Sequence, residues 1–150
     1  MQIDFEANKT ASRYNDLKAS LYCVDDKTFP KLKGKAAELR HFGPALLEAF
    51  TAFMDEASHQ HKAVKLMLVL CQKLENILDE CVDCYRMPVV TATEFEKCAW
   101  GIAQLNTSLA NFCHPQHIIL FNHTVKFHYL LHIGLLSRYT NPRDGLVLCR

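Results

Sequence analysis

Residues that break helices are scarce. Five glycines and five prolines among 150 residues exclude collagen-like and low-complexity chains. An excess of one charge is missing too: 17 lysines and arginines face 16 aspartates and glutamates. At +1, no global field steers the chain to nucleic acid or to an anionic membrane. No apolar run reaches the roughly 20 residues that span a bilayer. The most apolar window, 117–136, is interrupted by Asn122, His123, Lys126, His128 and His132. The start, Met1-Gln-Ile-Asp4-Phe-Glu6, lacks the apolar core of a secretory leader. Seven cysteines, an odd number, do not close a disulfide framework. These absences predict an intracellular chain, in cytosol or nucleus, without a membrane partner. What is present is enough apolar content, 49%, for one domain over 1–150.

Alternation with period two is also nearly absent, so the fold class is all-α. Ile3, Ala7, Ala11, Tyr14, Leu17 and Leu21 share one helical face. A polar stretch from Asp25 through Pro30 to Gly34 reads as a loop. A short turn over 36–41 ends at Gly43, and Pro44 opens a helix carrying Leu46, Leu47, Phe50, Phe53, Met54 and Ala57. Ser58-His-Gln-His61 marks a weak boundary or a kink. Val64, Met67, Leu68, Cys71, Leu74, Leu78, Cys81, Val82 and Tyr85 then hold one face for six turns, until Pro88. Thr93 with Glu96 has capping-box spacing. The helix it opens buries Phe95, Cys98, Ala99, Ile102, Leu105, Leu109 and Phe112, and stops at His114-Pro115. Ile118 to Phe121 fits a short strand or a turn of helix equally. Over 124–139 apolar residues occur on nearly all sides, which places that helix at the centre of its neighbours. The expected architecture is an irregular bundle of about five helices around this central apolar helix near the carboxyl end. The chain stops on an apolar run, 146–149, with no cap, as a truncated domain would.

Few residues form patterns that carry chemistry. Cys81-Val-Asp-Cys84 has the CxxC spacing used for zinc or redox work. Redox use favours a helix amino end, where the dipole stabilises a thiolate; this pair falls near a carboxyl end. Zinc needs two more ligands, and His128 with His132, four apart on one helical face, supply them. Because 43 residues, 85–127, separate the pairs against about 12 in a zinc finger, such a site must be assembled by the fold. The plainer reading makes the cysteines small core residues and the histidines neutral imidazoles bonded to ordinary partners.

Glu38-Leu-Arg-His41 and Glu56-Ala-Ser-His59 have di-iron spacing, but the first falls on the expected short turn before Gly43 and the second at the weak boundary, not on long inward-facing helices. No nucleophile elbow and no glycine-rich phosphate loop occurs. Lys31, Lys33, Lys35 and Arg40 make the segment 27–40 locally basic, either a phosphate-contacting strip or a solvated loop.

Lys126-Phe-His128-Tyr-Leu130-Leu-His132 resembles the K-x-H-x-L-x-H stretch of DDE-type transposase-like proteins of large DNA transposons. Arg138-Tyr-Thr-Asn-Pro142-Arg is similar to the turn that follows it there. Asp144 comes after that turn, with no assignable counterpart, and the resemblance covers about residues 75–150. It implies descent from a mobile element. Two-metal phosphoryl transfer needs clustered carboxylates, yet no Asp or Glu lies between Lys97 and Arg143. The expected function is therefore non-enzymatic: a helical domain binding another protein or its own copy, without a cofactor. A zinc-binding domain and a nucleic-acid-binding accessory domain are the alternatives.

Overall fold

The computed structural model describes residues 36–143, with side chains from Phe42 onward. The stripe at 3–21 and the terminal run at 146–149 lie outside the described residues. Among those residues the fold is helical, with four α-helices and no strand: α1 (Ala36–Phe53), α2 (His59–Glu80), α3 (Val89–Cys113) and α4 (Val125–Leu136), with a 3₁₀ turn at His114–Gln116.

The expected turn at 36–41 and the helix after Pro44 are one element, since α1 runs through Gly43 and Pro44. Proline lacks the N–H that would bond the carbonyl of Arg40, a local loss that the flanking turns absorb. The weak boundary at Ser58 is a complete one. Ser58 is extended, and its Oγ accepts from the His61 amide at 3.3 Å. Asp55 Oδ1 accepts from the Ala57 amide at 2.9 Å and shapes the turn before it.

The inner helix is α3, which corrects the expected arrangement. It packs on both α2 and α4. Its buried residues include Ala92, Phe95, Cys98, Ala99, Ile102, Ala103, Leu109, Ala110 and Cys113. Leu74, Ile77 and Cys81 of the α2 region meet Phe95, Cys98 and Ile102 in the core. Phe127, Leu130 and Ile133 of α4 pack against that cluster. In α4 only Gly134 is buried. Apolar content all round α4 fitted a central rod, but alanines and a glycine let α3 take that place. Small side chains admit neighbours on two sides, whereas the bulk of α4 is turned outward. Leu105 is half-buried and Phe112 exposed.

Where α3 and α4 cross, the backbones approach closely. A Cβ added to Gly134 would sit 3.1 Å from Ala99 Cβ and 3.5 Å from Glu96 Cα. Ser137, wholly buried, donates to the carbonyls of Gly134 (2.7 Å) and Ala92 (3.2 Å). Arg138 then reaches back to Glu96, with Nε at 2.7 Å from Oε2. Glu96 is thus committed to an interhelical ion pair instead of a capping box. Thr93 Oγ1 donates to the Val89 carbonyl at 2.8 Å, one turn inside a helix that begins after Pro88.

The carboxyl end of α2 is closed by residues far along the chain. Asn141, with no exposed surface, donates through Nδ2 to the carbonyls of Cys81 and Cys84, both at 2.7 Å. Its own amide donates to the Tyr85 carbonyl at 3.2 Å. Arg143 Nη1 donates to the Leu78 carbonyl at 3.3 Å and lies 3.6 Å from Asp79 Oδ1. The last carbonyls of a helix lack partners of their own and carry partial negative charge. An amide donor and a guanidinium suit them, so the helix ends at Glu80, well before Pro88.

Segment 118–121 is neither strand nor helix. His117 is left-handed at φ 56°, and the Ile118 amide donates to the Cys113 carbonyl at 3.1 Å, turning the chain out of α3. Buried Asn106 donates to the Asn122 carbonyl at 3.0 Å and anchors the connection.

Candidate functional site

Two surfaces combine accessibility with distinctive chemistry. The first is the outward face of α4. Helical spacing puts Val125, His128, Tyr129, His132, Leu135 and Leu136 in one sector, opposite Leu130 and Gly134, and Tyr139 follows in the turn after the helix. All seven are exposed, Val125 by 63%, Tyr129 by 59% and Tyr139 by 68%. The charged residues of this region, Lys126 and Arg138, lie outside that sector. The result is an apolar and aromatic ridge whose only ionisable groups besides the tyrosine phenols are two imidazoles.

Those imidazoles touch. His128 Nε2 and His132 Nε2 are 2.9 Å apart, with ring planes at 87°. One nitrogen carries the proton and the other accepts it. Tyr129 lies tilted beside His128, with ring centroids 6.4 Å apart.

The second surface is a groove of about 440 Å³ walled by Leu68, Leu74, Ile102, Phe127 and Leu130, with Cys71 and Glu75 among its lining. Cys71 is accessible at the residue level. Even so, the surrounding desolvation, with Glu75 adding to it, pushes its thiol up to about 11 from 9.0. It is a poor nucleophile at neutral pH, since the thiolate is the reactive form.

The candidates drawn from the sequence fall into separate places. Cys81 caps α2 and is buried, and Cys84 beside it is half-buried. Burial, then Cys84, raises the Cys81 thiol. Burial likewise raises Cys98. Among the described residues no group of three or more His, Cys, Asp or Glu side chains is placed to hold a metal ion. Cys81 and Cys84 therefore form one pair, and His128 and His132 another. Lys31, Lys33 and Lys35, and the side chain of Arg40, lie outside the described residues. His61 is structural: its Nδ1 accepts from the Asp55 amide at 2.9 Å and its ring stands edge-on to Phe50.

Sequence reasoning missed the ridge because it assigned all of α4 to the interior. The signal that finds it is the spacing of small residues. Gly134 and Ser137, three apart, mark the side that approaches a neighbour, which leaves the bulky side chains opposite. Among the described residues no helix is long and apolar enough to cross a membrane. Comparison with protein families, curated proteins and solved structures found no match to this chain.

Proposed function

We propose that this chain is a non-enzymatic helical domain that binds another protein, docking an amphipathic helix of its partner on the outer face of α4. The observation that carries this reading is the ridge along α4 from Val125 to Leu136 and on to Tyr139, largely apolar and aromatic and free of fixed charge. Contiguous apolar surface of this kind marks interaction sites, and exposed tyrosines and leucines supply the buried anchors that interfaces use. A facing helix offers apolar residues at three- and four-residue spacing, which matches the ridge. The five free cysteines among the described residues suit the reducing environment of cytosol or nucleus. Descent from a mobile element, suggested by the Lys126–His132 string, is compatible with a domain that has kept a helical surface and has no Asp or Glu between Lys97 and Arg143.

The test is site-specific photocrosslinking in cells, with the reactive residue at Leu136 in one chain and at Asp83, on an exposed turn, in another. A defined protein joined at 136 and absent at 83 is the expected result. Its binding should then fail with the purified Tyr129→Ser/Leu136→Ser variant, whose thermal melt should match wild type. Crosslinks to a second copy alone would replace the partner with self-association. Equal crosslinking from both positions would defeat the reading.

A further inference from the structure

We propose that His128 and His132 form a two-imidazole site for a divalent transition-metal ion of the copper(II) or nickel(II) class, on the exposed face of α4. Three observations carry it. The two side chains are one helical turn apart, both are exposed, and their Nε2 atoms are 2.9 Å apart. Metal–imidazole bonds run about 2.0–2.1 Å. At about 2.05 Å, nitrogens 2.9 Å apart subtend roughly 90° at a shared ion, whereas a tetrahedral angle needs about 3.35 Å. A right angle is the cis arrangement of square-planar and octahedral ions, the preference of copper(II) and nickel(II). Water fills the remaining positions, because no third protein ligand stands within reach of the pair among the described residues.

The proton balance is simple. In the free protein one Nε2–H donates to the other Nε2. Metal binding needs a lone pair on both, so that ring moves its proton to Nδ1 through solvent. From that tautomer pair both lone pairs reach the ion and the proton count of the two rings is unchanged. Among the described residues the rings contact each other and the Tyr129 ring, so little must be broken. Cys81 is buried, with its thiol pushed up, so its pair with half-buried Cys84 does not compete well for the ion near neutral pH.

The experiment is calorimetric titration of the tag-free full chain with nickel(II) at neutral pH, beside the variants His128→Ala, His132→Ala and Cys81→Ser/Cys84→Ser. A chelating pair gains over a single imidazole through effective concentration. Each histidine variant should therefore bind at least about tenfold more weakly than wild type, while the cysteine variant keeps wild-type affinity. Nickel should also raise the melting temperature of the wild type and of the cysteine variant only, since a ligand bound to the folded state stabilises it. Absence of binding by wild type, unchanged affinity in both histidine variants, or loss confined to the cysteine variant would each overturn the site. These readouts do not involve a protein partner, so they stand apart from the docking reading.

Discussion

Replacing Asn141 by alanine should lower stability by about 3 kcal/mol. The side chain has no exposed surface and donates two 2.7 Å bonds to the carbonyls of Cys81 and Cys84. Its Oδ1 also accepts from the Arg143 amide at 3.1 Å. A hydrogen bond contributes about 1 kcal/mol net, and the Asn141 side chain makes three. The Cys81 carbonyl keeps the Cys84 amide at 3.1 Å, and water can reach half-buried Cys84, so the loss is chiefly that of those three bonds. For a domain of this size the loss corresponds to a melting temperature about 10 °C lower. Urea unfolding followed by circular dichroism should show an earlier midpoint and an unchanged slope. Asn141→Asp tests the donor role at constant shape, because an ionised carboxylate has no N–H and faces two carbonyl oxygens. Its folded-state pKa should be raised above the unfolded value of about 3.9. The relative stability of that variant is then fully present only below about pH 4 and is lost as pH rises. An Asn141→Ala chain within about 0.5 kcal/mol of wild type, the range of ordinary surface changes, would refute the clasp.

Gly134→Val should destabilise by about 1–3 kcal/mol, since the added side chain meets Ala99 and the α3 backbone; a thermal melt checks it. Phe95→Ala, at the centre of the core, should cost about 3–5 kcal/mol, and Leu136→Ala, on the outer face of α4, less than about 0.5 kcal/mol. The opposite ranking in urea would return α4 to the interior. Cys71, its thiol raised from 9.0 to about 11, should be alkylated slowly at pH 9, with about 1% thiolate against half for an ordinary thiol. A thiol raised on folding contributes stability that is intact below pH 9 and lost as pH climbs toward 11. Cys71→Ala should therefore flatten alkaline unfolding in that window.

Period-three and period-four spacing was enough to read the described residues as helical, and it placed α2 and α3 nearly where they lie, although it divided α1 at Gly43. It could not rank them by depth. Apolar residues all round α4 pointed inward, yet depth was decided by the size of facing side chains, and Ala92, Ala99 and Ala103 allow closer approach than any leucine. The end of α2 was hidden for a different reason. Its partners Asn141 and Arg143 are some 60 residues distant, and periodicity carries no information at that range. Thr93 with Glu96 fitted a capping box by spacing alone, but Pro88 starts the helix earlier and Arg138 claims the carboxylate. Of the sites, the four-residue spacing of His128 and His132 was fully legible, because a single helix fixes it. Their separation from Cys81 and Cys84 depends on how helices pack, which spacing does not encode.

The narrow crossing at Gly134 also limits what α4 can do later. Rolling the helix about its axis would drive leucines and tyrosines against Ala99, where even one methyl group meets contact at 3.1 Å. Ser137 and Arg138 would lose their bonds to α3 in the same movement. The described residues therefore have no inexpensive way to turn the greasy ridge inward. On the docking reading, a copy without its partner stays open to chaperones and proteolysis, and its abundance in cells should follow that of the partner.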